Sequence, residues 1–106
     1  MTNPYAGEVR LVIDGVPHRL RLTLGALAEL EAAMQADTIL ALVERFESGQ
    51  VAARDVLALI VAGLRGGGWQ GEAGDLMQAE IEGGLPAAAQ AAAELLARAF
   101  TPAGEA

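Results

Sequence analysis

The hydrophobic pattern of this chain changes period once, at Thr23, and that change most limits what the chain can fold into. Between residues 8 and 24, apolar and polar residues alternate, as they do in a strand with one buried face. After Thr23, apolar residues recur every three to four positions, as on one face of a helix: Leu24, Leu27, Leu30 or Glu31, and Met34. The sequence therefore predicts a short β segment followed by helices.

The pair Asp14-Gly15 divides the alternating segment into two strands. A two-residue type I′ turn needs positive φ at both positions, and Asp-Gly is a preferred pair for it. An even-numbered loop keeps apolar positions of the two strands on one face: Val9, Leu11, Leu20 and Leu22. Because a two-stranded hairpin is marginal in water, we expect this face to pack on helices.

The rest of the chain predicts a bundle of four to five helices. Thr23 and Asp37 or Thr38 are candidate N-caps, Gly49 is a candidate C-terminal glycine, and Pro86 suits the first position of the last helix. The predicted elements are a hairpin at 8–24 and helices at about 25–36, 38–48, 53–65, 75–82 and 86–100. The third helix is the most apolar, and we expect it at the centre. On the last helix we expect one side to carry Leu85, Ala89, Ala92, Leu96 and Phe100.

The length of 106 residues fits a single domain, 1–106, of mostly helical α+β class. The hydrophobic fraction is 53%, but alanine supplies much of it and only four residues are aromatic. We expect a thin core of Leu, Ile and Val. A thin core favours stabilisation by a partner or by self-association.

The charge balance disfavours nucleic acid as a partner. The chain has 7 basic and 14 acidic residues, a net charge of −7, which repels a phosphate backbone. Arg10, Arg19 and Arg21 are interleaved on the strands with acidic residues nearby and do not override this. No signal peptide is recognisable, and the longest apolar run, 56–63, is too short for a bilayer. We expect a cytoplasmic protein that does not enter a membrane.

Catalysis is improbable on the residues available. The chain has no lysine and no cysteine, a single histidine, His18, and a single serine, Ser48. Glu29 and Glu31 are two apart on a helix, so their side chains diverge. The glycines at 66–68 lack the flanking pattern of a phosphate-binding loop. The sequence predicts no catalytic residue, cofactor or metal.

Three apolar residues are candidates for contact with a partner protein: Trp69, Leu76 and Met77. Trp69 follows three glycines that end the third helix and open a flexible loop as far as Gly71. Tryptophan is enriched at interface hot spots, so Trp69 is either a mobile anchor or a cap folded back on the bundle. Leu76 and Met77 lie on the weak helix that follows.

Several short patterns together resemble the small gene transfer agent family proteins of alphaproteobacteria. They are GEV at 7–9, Leu11, DG at 14–15, LTLGALAELE at 22–31, RDV at 54–56, AGLRG at 62–66 and EGG at 82–84. The resemblance covers roughly residues 5–100. Members of that family are encoded in phage-like tail modules near the tape-measure gene, and are labelled tail tube protein or tail assembly chaperone.

The resemblance implies a non-enzymatic role in the tail morphogenesis of a gene transfer agent or prophage, with tape-measure and tail tube proteins as partners. Tail tube proteins generally need many strands, whereas strand signals here stop at Leu24. That favours a tail assembly chaperone that binds the tape-measure protein through apolar helix faces. The alternative is a structural tail component, either a tail tube subunit or a minor tail or connector subunit. A small acidic regulatory or toxin-neutralising protein is a third hypothesis.

Overall fold

The protein has a mostly helical α+β fold in which an N-terminal two-stranded antiparallel hairpin packs against five helices, as the sequence predicts. The structure is a computed structural model that describes residues 8–34 and 38–99. Its elements are β1 (Glu8–Ile13), β2 (Val16–Arg21), α1 (Leu24–Met34), α2 (Ile39–Ser48), α3 (Ala53–Gly66), α4 (Ala73–Met77) and α5 (Gly84–Ala99). The side chain of Met34, the expected end of the first helix at 35–36, Asp37 and Phe100 lie outside the described residues.

The hairpin turn has the predicted geometry. Asp14 and Gly15 have φ values of 51° and 76°, as a type I′ turn requires. The strands pair from Ile13 opposite Val16 to Glu8 opposite Arg21. One face of the hairpin is buried against the helices and carries Val9, Leu11, Ile13 and Leu20.

The segment that follows α4 lies along the outer edge of β1. Ile81 forms a bridge with Ile13. The Asp14 N–H donates to the Glu80 carbonyl oxygen at 2.7 Å, and the Glu82 N–H donates to the Val12 carbonyl oxygen at 3.0 Å. The prediction of a helix at 75–82 is therefore wrong: α4 ends at Met77, because the backbone groups of residues 80 and 82 bond to β1 instead.

Helix α3 is at the centre, as predicted, and packs against β2, α1, α4 and α5. Glycines allow its close approach to β2. Residues Gly66 and Gly67 lie directly against the carbonyl oxygens of Arg21 and Arg19, where a Cβ atom has no room. The prediction that the glycines open a flexible loop is therefore corrected. Two of these glycines pack against β2, and the Trp69 N–H donates to the Leu64 carbonyl oxygen at 2.9 Å.

The predicted caps are confirmed at two helices. The Thr23 hydroxyl accepts from the Ala26 N–H at 3.1 Å, and the Thr38 hydroxyl accepts from the Ala41 N–H at 3.1 Å. Gly49 ends α2 with a φ of 78°, the left-handed conformation expected there.

Two predicted helix faces are rotated from their expected positions. Leu24 and Leu85 are 85% and 59% exposed, so neither belongs to the core. In α1, Ala26 faces Gly66 and brings α1 close to α3, which turns Leu24 outward. In α5, Leu95 fills the space above Gly63. The buried face of α5 is consequently Ala88, Ala91, Ala92, Leu95 and Leu96, and α5 begins at Gly84 rather than at Pro86.

Candidate partner-binding groove

An apolar groove of about 550 Å³ lies between α3, α4 and the first turns of α5. Its floor and walls are formed by Val56, Leu57, Ile60, Leu76, Ile81 and Ala88. Two large apolar side chains on its rim are exposed, Met77 at 70% and Leu85 at 59%. Among the described residues that line the groove, Arg54 is the only charged one.

The groove exists because α4 is short and the chain after it is extended. Leu76 in α4 is buried against the core, while Met77, the next residue, points to solvent. The connection from α4 to α5 is then held on β1 through Ile81. Since α5 starts only after this connection, the space between α4 and α5 stays unfilled above the α3 side chains. An arrangement of this kind can accept apolar side chains from another protein.

The structure brings two of the three predicted contact residues together and separates the third. Leu76 and Met77 both line the groove. Trp69 does not; it is half-buried, with its ring against the backbone of Gly71. It lines a smaller depression of about 310 Å³ beside the hairpin, and Leu76 and Ala79 line both this depression and the groove.

Leu85 and Ile81 are groove residues that the sequence reasoning did not propose as contacts. Leu85 was expected on a buried face of α5, and Ile81 on a helix that does not form. The one signal for Leu85 was its position directly after Gly83-Gly84, where a helix start exposes its first side chains.

Asp55 is the one buried charged residue in the part of the chain that the structure describes, and it serves the fold. Its carboxylate accepts hydrogen bonds from Arg45 Nε and Nη2, both at 3.1 Å, and from the Ala52 N–H at 3.1 Å. Burial raises the pKa of the Asp55 carboxyl. These hydrogen bonds and the Arg45 charge lower the pKa by a larger amount. The net pKa lies below its ordinary value.

The titratable side chains of the described ranges do not gather into a metal site. No group of three or more His, Asp or Glu residues there could hold a metal ion. Every buried side-chain nitrogen or oxygen of these residues has a hydrogen-bond partner. The same residues include no helix that is both long enough and apolar enough to span a bilayer.

A comparison with models of protein families matches residues 6–101 to the family described as phage tail tube protein, GTA-gp10. The chain belongs to this family. Its resemblance to gene transfer agent proteins is therefore confirmed over most of its length. Comparisons with curated proteins and with solved structures gave no significant match.

Membership of the GTA-gp10 family makes this a phage tail protein of a gene transfer agent. It implies a non-enzymatic role and partners among tail proteins. The family description says tail tube protein, while its short name stands for tail assembly chaperone. The family name is compatible with both roles.

Proposed function

We propose that this GTA-gp10 family protein is a tail assembly chaperone that binds the tape-measure protein through the groove between α3, α4 and α5. The observation that carries the proposal is the open apolar groove, with Met77 and Leu85 exposed on its rim. Grooves lined by apolar side chains commonly receive one face of an amphipathic helix. A tape-measure protein is a long helical client with such faces to shield.

Contacts at both edges of the two-stranded sheet favour a chaperone over a tube subunit. The outer edge of β1 is bonded to residues 80–82 at its end next to the turn, from Val12 to Asp14. On the other side, the carbonyl oxygens of Arg19 and Arg21 lie against glycines of α3. With both edges partly covered, the hairpin has less free backbone to extend into the larger sheet that a ring of tube subunits would need.

The charge of the chain fits a protein that keeps an apolar client in solution. A net charge of −7 on 106 residues favours solubility of a complex once the client's apolar side chains are covered.

Co-expression with the tape-measure protein of the same tail module tests the proposal. The variant Met77→Glu/Leu85→Glu places two charges on the groove rim, and Leu24→Glu/Leu40→Glu places two on exposed leucines elsewhere. We expect the wild type and the second variant to co-purify with the tape-measure protein and raise its soluble fraction. The groove variant should do neither. Equal behaviour of the two variants, or no effect of the wild type, would contradict the proposal.

A structural tail component is the second candidate, favoured by the family's description as a tail tube protein. Mass spectrometry of purified particles separates the two roles. A chaperone leaves the particle and is absent from it, whereas a structural subunit is present in stoichiometric amounts.

A further inference from the structure

The outer face of the hairpin, turned away from the helices, carries a group of arginines. Arg10 lies directly opposite Arg19 in the strand pairing, and Arg21 follows two residues later on the same face. All three side chains are exposed. We call these three residues the arginine face. It holds three of the seven basic residues of a chain whose net charge is −7.

The arrangement of these charges opposes folding. Like charges directly opposite each other on antiparallel strands are destabilising. No ion pair found between described residues includes Arg10, Arg19 or Arg21. In the strand pairing, Glu8 lies opposite Arg21 but no acid lies opposite Arg10 or Arg19. Glu8 on this face and Glu82 and Glu94 near Arg10 offset part of the positive charge. The directly opposed pair Arg10 and Arg19 still lacks a cross-strand acid, and a bound anionic partner would relieve its repulsion.

We propose that the arginine face binds an acidic polypeptide segment of a partner protein. Guanidinium groups match carboxylates in geometry and are weakly hydrated, which suits an exposed protein contact. Arg19 and Arg21 are two residues apart on one strand, so their side chains start about 7 Å apart. Carboxylates on alternate residues of an extended acidic segment have the same spacing.

The rest of the molecule favours a polypeptide over a nucleic acid. The whole-chain charge of −7 repels any anionic partner, but it repels duplex DNA, with one charge per about 1.7 Å, more than an extended segment with one carboxylate per about 7 Å. The arginine face lies on the side of the hairpin opposite to α3, away from the groove. The inference therefore does not rest on the proposed chaperone function.

Fluorescence anisotropy with a labelled peptide of alternating Glu and Thr tests the inference, at about 0.15 M salt where distant charges are screened. We expect Arg10→Gln and Arg19→Gln each to weaken binding about 3-fold, and the pair to weaken it about 10-fold, as for exposed ion pairs. Arg98→Gln removes an equal charge from the exposed side of α5 and should leave the affinity unchanged. A peptide with Gln for every Glu should not bind.

Unfolding in urea supplies a second readout that separates binding from structure. Arg10→Gln should raise the stability slightly, because the repulsion from Arg19 is relieved, while it weakens peptide binding. A fall in stability would assign Arg10 a structural role and overturn the inference. So would equal peptide affinity in all variants, or tighter binding of double-stranded DNA than of the peptide. If the wild type sediments as a dimer and the double variant as a monomer, the occupant is a second copy, and the inference is again overturned.

Discussion

The Cα of Gly66, at the end of α3, lies against the carbonyl oxygen of Arg21 in β2, with no room for a side chain between them. Its neighbour Gly67 meets the carbonyl oxygen of Arg19 in the same way. These contacts bring the C-terminal end of the central helix onto the hairpin edge. The close packing of hairpin on helix therefore depends on two glycines rather than on large side chains.

Gly66→Ala should lower the free energy of unfolding by about 1–3 kcal/mol, because the new Cβ overpacks the contact with Arg21. The control is Gly25→Ala, also in a helix, where a Cβ would meet only Thr23 Oγ1 at 3.9 Å. Gly25→Ala should raise the free energy of unfolding by roughly 0.5 kcal/mol, because alanine has a higher helix propensity than glycine. Urea unfolding followed by circular dichroism measures both. Equal effects of the two substitutions would contradict the packing role of Gly66.

The ion pair between Arg45 and Asp55 ties α2 to the start of α3. Asp55→Asn should lower the free energy of unfolding by about 1.5–3 kcal/mol near neutral pH, since it removes a buried charge from two arginine hydrogen bonds. Asp75→Asn is the control: Asp75 accepts from the Glu72 N–H at the start of α4 in the same way, at 3.0 Å, but is exposed. Asp75→Asn should lower the free energy of unfolding by less than about 1 kcal/mol.

The contribution of Asp55 should also depend on pH with a definite sign. Its pKa is lower in the folded protein than the ordinary value of 3.8, so ionisation favours the folded state. The contribution is complete above that value and is lost as the pH falls through the folded pKa. The stability difference between wild type and Asp55→Asn should be constant near neutral pH and narrow below about pH 4. A difference that widens on acidification would contradict the assignment.

Local signals in the sequence predicted local structure well. Asp14-Gly15, Thr38 and Gly49 act within two or three residues, so their sequence patterns were sufficient to place a turn, an N-cap and a helix end. The apolar stripe of α3 was also enough to identify the central helix. Each of these features depends on neighbours in the chain, which the sequence displays directly.

The features that could not be predicted from the sequence depend on contacts between residues far apart in the chain. Leu76, Met77 and Ile81 have a helical spacing, but hydrogen bonds to β1 draw residues 80–82 out of a helix. Two of the three predicted contact residues, Leu76 and Met77, were identifiable as apolar residues on a weak helix. The positions of Ile81 in the wall and Leu85 on the rim could not be identified from the sequence, because they depend on where distant strands and helices meet.

The Asp14 side chain contributes to this non-local contact, since its Oδ1 accepts from the Glu80 N–H at 2.8 Å. Asp14→Ala should lower the free energy of unfolding by about 1–2 kcal/mol, because it removes the acceptor and places alanine at a positive φ. Asp14→Asn keeps an acceptor oxygen and tolerates the left-handed conformation, so its effect should be small. Urea unfolding of both variants checks this. Equal losses would show that the hydrogen bond to Glu80 contributes nothing.

Core and rim of the groove should respond differently to truncation. Leu76 is 5% exposed, so Leu76→Ala should lower the free energy of unfolding by about 2–4 kcal/mol through the cavity it leaves. Met77 is 70% exposed, and Met77→Ala should change it by less than about 0.5 kcal/mol. The same unfolding measurement applies to both. A large loss for Met77→Ala would place that side chain in the core and remove it from the candidate contact surface.

The contact between the hairpin turn and residues 80–82 joins positions 66 apart in the sequence. It also places Ile81 and Leu85, which complete one wall of the groove. Opening of that contact should displace Ile81 and Leu85, so we expect closure of the contact and binding in the groove to be linked thermodynamically. We expect a ligand bound in the groove to stabilise the contact of the hairpin turn with residues 80–82, although the ligand does not touch the turn.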